Sequence, residues 1–311
     1  MPPPSRIAVA DLGTNSTRLL VADVASDGSL TELERRSEVT RLGDGVDATG
    51  RLSDEAVDRV LTCLAGYREI ADAANAGRRI AVATSAVRDS SNGDEFQQRV
   101  RSEPGFDIRT ISGDEEARLT FLGATAGREK GPPTLVVDIG GGSTEYVVGE
   151  AGSAPAFHVS TRLGSVRQTE RHLFSDPPAG HELSALATAA REIIAAGVPE
   201  QVLTDTNAGM AVAGTATQLA SVDQQLEAYD RGKVHGYRLL LGECERILAR
   251  LAAVPLAERR EVPGLDPARA PTIVAGATIM VESMRLFGLE YVEVSEADIL
   301  HGAAIDAMVG S

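Results

Sequence analysis

The sequence predicts an α/β fold of two similar domains, each built on a mixed β-sheet. Three observations predict it. The chain has 311 residues, enough for about two domains at roughly 150 residues each. Short apolar strand-like runs alternate with segments of helical periodicity along its length. One eight-residue template occurs twice, at residues 11–18 (DLGTNSTR) and 138–145 (DIGGGSTE). Each copy follows one strand-like run and precedes another, the mark of an internal duplication.

Residues 7–10 are a small apolar run ending at Asp11. Residues 19–24 and 30–39 read as the next two strands, joined by the turn Ser26-Asp27-Gly28-Ser29. Residues 42–45 (LGDG) are a loop. Ser53 is a helix N-cap, because Val57, Val60, Leu61 and Leu64 recur behind it at helical spacing. A strand at 79–83, a short helix at 95–101 and a strand at 106–111 follow. Ser112-Gly113-Asp114-Glu115 fits the S-x-x-E capping box, in which Ser112 and Glu115 each satisfy a backbone donor. Leu119, Leu122 and Gly123 then face inward. Glu116 sits one residue past the box, so the cap does not use it. Residues 128–133 (REKGPP) are the best domain junction. Beyond them come strands at 135–137, 145–148 and 157–160, then helices at 164–174, 180–196, 214–219, 239–251 and 267–287. A strand at 291–294 and a helix at 296–308 end the chain.

Thirty Lys and Arg against 45 Asp and Glu give a formal net charge of −15. That excess argues against coating DNA, RNA or an anionic membrane, and leaves room for an anion held in a local pocket. With 43% apolar and 24% charged residues the composition is that of a globular protein. Cys63 and Cys244 lie far apart, without metal-ligand spacing, and read as buried packing residues in a reduced, cytoplasmic setting. No leader pattern precedes residue 7, and no run is long and uncharged enough to span a bilayer.

The duplicated template has a specific chemistry. Small residues let a backbone approach an anion closely, with N–H groups and Ser or Thr hydroxyls donating to phosphate oxygens. The leading aspartate would repel phosphate, so it makes sense with a hard cation between them. Mg²⁺ typically uses one or two carboxylates plus substrate phosphates. Asp11 and Asp138 would be such a pair. The alternative, a glycine turn with Asp for geometry, explains one copy better than two. No Gly-Lys-[Ser/Thr] follows, so this is not a Walker A loop. A strand rather than a helix follows, so it is not a dinucleotide fingerprint.

These residues resemble the exopolyphosphatase / guanosine pentaphosphate phosphohydrolase family, within the actin, sugar kinase and Hsp70 superfamily. The resemblance covers essentially the whole chain. It runs through residues 11–18, 84–88 (TSAVR), 111–118 (ISGDEEAR), 138–145, 163–167 (LGSVR), 213–217 (AGTAT), 234–237 (VHGY) and 294–302. It implies two ribonuclease H-like (actin-like ATPase) domains with mixed sheets and an interdomain cleft. The domains would be 1–127 plus 296–311, with the last helix returning to the first domain, and 128–295. It implies hydrolysis of terminal phosphoanhydrides in inorganic polyphosphate, or of the 5′ end of pppGpp in the stringent response. A polyphosphate- or nucleotide-binding regulator without turnover is the alternative from another class.

The resemblance also implies residue roles. Glu116 would be the base that activates water. Asp138 and Glu145 would hold Mg²⁺ (or Mn²⁺), with Asp11 supporting and Glu145 also catalytic. Thr14, Asn15 and Ser16, with Gly140, Gly141, Gly142, Ser143 and Thr144, would cradle phosphate. Arg18 and Arg88 would neutralise phosphoryl oxygens. Gly214 and Thr215 would either meet a phosphate at a helix N-terminus or simply cap that helix. Arg167 is either a cleft residue or part of a solvated face. His235 carries no catalytic role, although residues 233–236 could touch a polyanion. The family's first loop usually has Ser where Thr14 stands. Its C-terminal segment commonly reads V-S-x-x-G-[LI]-R-x-G, and residues 294–302 (VSEADILHG) lack that Gly and Arg. A homodimer acting on short or medium chains, without DNA or membrane partners, is the remaining expectation.

Overall fold

The computed structural model describes residues 5–309; residues 1–4, read above for a leader, lie outside it. The chain divides into two compact units, residues 1–129 with 297–311, and residues 130–296. Each carries one mixed sheet with helices.

The first unit opens with β1 (Ser5–Leu12), β2 (Thr17–Val24) and β3 (Leu30–Glu38), followed by α1 (Val46–Thr49) and α2 (Asp54–Ala73). Next come β4 (Arg78–Ala83), α3 (Ser85–Arg88), α4 (Gly93–Ser102), β5 (Asp107–Thr110) and α5 (Gly113–Thr125). Its sheet order is β3-β2-β1-β4-β5. The β1/β2 and β2/β3 pairs are antiparallel, whereas β1/β4 and β4/β5 are parallel. Successive side chains of a strand alternate between faces. Ala8, Ala10 and Leu12 accordingly join the core formed with α2, while Ile7 and Val9 join the opposite core. A central strand covered on both faces reads as one apolar run, which is how residues 7–10 appear in the sequence.

The second unit contains β6 (Thr134–Ile139), β7 (Thr144–Gly149), β8 (Phe157–Thr161), α6 (Ser165–His172), α7 (Gly180–Gly197) and α8 (Glu200–Asp205). It continues with β9 (Gly209–Val212), α9 (Ala213–Asp223), α10 (Arg231–Val234), β10 (Arg238–Leu240) and α11 (Leu241–Ala252). Then come α12 (Leu256–Arg259), α13 (Ile273–Leu286) and β11 (Tyr291–Val294). Its order is β10-β11-β9-β6-β7-β8. The last helix, α14 (Ile299–Val309), belongs to the first unit, where Ile299, Leu300, Ala303 and Ala304 close the core over Ile7, Val9 and Leu20. No described helix is long and apolar enough to cross a membrane.

Four expectations need correction. Residues 238–240 pair with β11, so the helix expected from 239 starts at Leu241; an apolar run alone does not separate strand from helix. The helix expected from 267 starts at Ile273, because Pro271 restricts the residue before it and brings no N–H. The helix expected from 296 starts at Ile299, with Asp298 Oδ1 accepting the Leu300 N–H at 3.0 Å. The capping box is half formed. Ser112 Oγ accepts the Glu115 N–H at 3.2 Å, but the Glu115 carboxylate pairs with Arg109. Leu119 and Gly123 are buried as expected, and Leu122 is half-buried. Ser53 caps α2 by accepting from Ala56 N. Both cysteines are free and buried, and burial pushes each thiol up to about 12, which leaves them unreactive.

Candidate active site: two duplicated loops

The two template copies fold alike, one in each unit. Each is a strand–turn–strand in which the glycine directly after the first strand closes the turn: Gly13 N–H donates to Ser16 O and Gly140 N–H to Ser143 O, both at 3.0 Å. In the second loop, α6 stands behind the turn. The carbonyls of Gly140 and Gly141 accept the N–H groups of Ser165, Val166 and Arg167 at 2.9, 2.9 and 3.1 Å. Arg167 Nε reaches Gly142 O at 2.8 Å. A trans peptide holds its C=O and the following N–H on opposite sides. Three carbonyls aimed at α6 therefore turn the N–H groups of Gly141, Gly142 and Ser143 the other way, as one row. Such a row of backbone donors has the form of an anion nest.

In the first loop the segment 41–43 takes the place of α6. Thr14 O accepts from Gly43 N at 2.8 Å and Asn15 O from Arg41 N at 2.9 Å, which turns the N–H groups of Asn15 and Ser16 away from that segment. Thr14 and Asn15 are buried. The Thr14 hydroxyl bonds Ser85 Oγ at 2.8 Å. The Thr144 hydroxyl donates to Leu163 O. Both hydroxyls thus brace their loops against neighbouring segments.

The copies differ at their last position. Asp11 faces Arg18 across β1/β2, whereas Asp138 faces Glu145 across β6/β7. Arg18 Nε donates to Asp11 Oδ2 at 2.9 Å, and its Nη1 pairs with Asp298 at the start of α14. Arg18 is therefore held between two carboxylates. Burial raises the Asp11 carboxyl above its ordinary value, against the pull of Arg18; its Oδ1 is buried without a hydrogen-bond partner. Burial alone would raise Asp298 too, but Arg18, Arg35 and His301 hold it far below the usual carboxylate range.

In the second loop the residue opposite the aspartate is a second carboxylate. Directly opposed like charges destabilise a sheet, and a divalent cation would relieve the Asp138/Glu145 pair. Ser160 Oγ donates to Glu145 Oε1 at 2.7 Å and so orients it. No group of three or more His, Cys, Asp or Glu able to hold a metal occurs among the described residues. Two carboxylates beside an anion nest nevertheless fit Mg²⁺, which fills its shell with water and phosphate.

Glu116 lies in the first turn of α5 and is 7% exposed, so it is no solvated helix residue. Arg88, ending α3, donates from Nη1 to Glu116 Oε2 at 3.0 Å and to Ile111 O at 2.9 Å. Thr215 Oγ1 donates to Ile139 O at 3.1 Å, tying the start of α9 to the strand that carries the second loop. The Gly214 Cα faces Arg269, whose guanidinium occupies the space a Cβ would need. The structure thus brings Glu116 to Arg88, Asp11 to Arg18, and Asp138 to Glu145. Ser85, Ser160 and Asp298 join these groups although the sequence did not single them out. Arg167 is buried, 6% exposed, and belongs to the loop's support rather than to a solvated face.

His301 extends the Asp298 network: its Nε2 lies 2.7 Å from Glu32 Oε1 and its Nδ1 3.9 Å from Asp298 Oδ1. Burial opposes its protonation, but Asp298 and Glu32 outweigh that and raise its pKa despite Arg35. A raised folded-state pKa gives stability that is complete below the unfolded value, near 6.5, and is lost as pH rises through the folded one. The Tm gap between the parent and His301→Gln should therefore be widest below about pH 6.5 and narrow at alkaline pH. A gap constant across that range would show that His301 does not titrate with folding.

The chain as a whole is similar to known proteins of one family. The model of the Ppx/GppA phosphatase family matches residues 20–309. Exopolyphosphatase 2 of Mycobacterium tuberculosis H37Rv is 38% identical, over 97% of this chain and 98% of that protein. The crystal structure of an exopolyphosphatase from Cytophaga hutchinsonii superposes with a TM-score of 0.89 at 27% identity, covering 98% of each chain. The Aquifex aeolicus member of the Ppx/GppA family gives 0.81 at 29%, covering 99% of each.

Proposed function

We propose that this chain, which belongs to the Ppx/GppA phosphatase family, releases terminal orthophosphate from inorganic polyphosphate. It is a phosphoanhydride hydrolase of exopolyphosphatase type. The observation that carries the finer reading is the second loop: a row of backbone donors set beside two opposed carboxylates. Phosphoryl transfer asks a protein mainly for positioning, charge neutralisation and an oriented nucleophile. Gly141, Gly142 and Ser143 would bind the terminal phosphoryl oxygens through their N–H groups, and the first unit's Asn15 and Ser16 would likewise offer N–H donors to phosphate. Asp138 and Glu145 would hold Mg²⁺ or Mn²⁺, which when bound supplies neutralisation of the phosphate charge. Glu116 would accept the proton of the attacking water, and Arg88 fixes its carboxylate. Asp11, paired with Arg18, would support the first loop. Arg18 would act there through Asp11 and Asp298 more than on phosphate directly.

Phosphate release should be measured on polyphosphates of defined length, pppGpp and ATP side by side, with Mg²⁺ and with chelator. Release from polyphosphate is expected to require the metal and to cease with chelator. Faster release from pppGpp would favour the 5′-phosphohydrolase reading. Release from none would leave a non-catalytic binding protein and end both hydrolase readings.

A further inference from the structure

We propose that Arg231 and His235 form a second phosphate subsite in the second unit, which binds polyphosphate behind the group being released. The proposal rests on the hydrolase reading above. Strands β6, β9 and β11 are parallel neighbours, so their C-terminal ends share one edge of the sheet. In open α/β sheets that edge is where ligands bind. The anion nest leaves the end of β6, Gly214 and Thr215 leave the end of β9, and Ser295 and Glu296 leave the end of β11. At about 4.8 Å per strand, the end of β11 lies about 10 Å along that edge from the nest.

Glu296 organises this end. It is 8% exposed and gathers three side chains from residues 229–235. The Tyr229 hydroxyl donates to Oε1, and Arg231 Nε donates to Oε2 at 3.2 Å. The Glu296 N–H donates to His235 Nδ1 at 3.2 Å. A neutral imidazole whose Nδ1 accepts must carry its proton on Nε2. His235, an exposed residue, thus presents a fixed donor on its outer side. The Arg231 side chain is 41% exposed while its Nε is fixed on Glu296, and a guanidinium has five donors in a planar fork suited to phosphate. Gly236 N to Val294 O and Val294 N to Tyr237 O, both 2.8 Å, pin the segment to the end of β11. A chain held by its terminal group in the nest and laid along the edge passes the α9 N-terminus and reaches these two donors.

The double variant Arg231→Gln, His235→Asn tests this. Gln can still donate to Glu296 and Asn can still accept its N–H, so these two bonds survive while the cation and the outer donor are lost. The readout is the ratio of KM for medium-length polyphosphate to KM for tripolyphosphate. That ratio should rise about tenfold or more, the worth of a charge-assisted hydrogen bond. The salt dependence of KM for the longer chain should become shallower. Arg231→Lys, which keeps the charge, should recover part of the ratio. An unchanged ratio overturns the subsite, and so does a loss seen with pppGpp alone. Should the unmodified protein release phosphate from neither polyphosphate, the hydrolase reading fails. The same ratio measured as dissociation constants by calorimetry then still decides the subsite.

Discussion

Glu116→Gln should lose about 10²-fold or more in kcat on polyphosphate while keeping KM within a few-fold, the loss expected when a general base is removed. The substitution isolates basicity. A glutamine has the same length and can still accept from Arg88 Nη1 through its amide oxygen, so α3 and α5 keep their link. The start of α5 does not depend on Glu116, because Ser112 caps it and Glu115 is engaged by Arg109. Tm should therefore change little. Ground-state binding by the loop N–H groups is untouched, so the damage belongs in kcat rather than KM. Turnover equal to the parent's would strip Glu116 of the role, whatever the family does. A fall in kcat accompanied by a large fall in Tm would mean that the Arg88–Glu116 bond serves mainly the fold.

Local chemistry made the strands, the Ser53 cap and the two loops legible in the sequence. Each depends on residues within a few positions of one another, and the duplication supplied a second copy of the loop pattern to read. Partners chosen at long range were not legible. Arg18 meets Asp298 across 280 positions, and no local pattern marks that pair. For the same reason Arg18 reads from sequence as a residue for phosphate, whereas the fold places it between two aspartates. Arg167 had a usable signal, its place two residues after Leu163-Gly164-Ser165 in a matched segment. Its burial against Gly142 O depends on how α6 docks on the loop, which periodicity does not reveal. The boundary errors at 239, 267 and 296 share one cause. In each case the first residues are drawn out of the helix by a local competitor: pairing with β11 at 239, Pro271 before Ile273, and Asp298 as the capping residue before Leu300.

Gly164→Ala should damage the second loop as severely as Glu116→Gln damages chemistry, with kcat/KM for polyphosphate falling about 10²-fold, the cost of a roughly 1 Å misplacement of reacting groups. The glycine is not required by its conformation. Its φ of −107° and ψ of 152° suit any residue. It is required by space. A Cβ there would lie 2.2 Å from Gly141 O and 2.3 Å from Gly142 C, and both are backbone atoms that cannot rotate aside. Either α6 retreats, and the bonds from Ser165, Val166 and Arg167 to the loop carbonyls stretch, or the loop shifts forward. In both cases the peptides of residues 140–143 lose the common orientation that aligns their N–H groups. Such overpacking costs about 1–3 kcal/mol, so Tm should fall while the protein remains folded. Gly180→Ala is the matched control: it also lies at a helix start, and a Cβ there meets nothing within 4 Å. If Gly164→Ala lowered Tm yet kept parental kcat/KM, the loop would have moved at no cost to turnover, and the row of N–H donors could not be what holds the terminal phosphate.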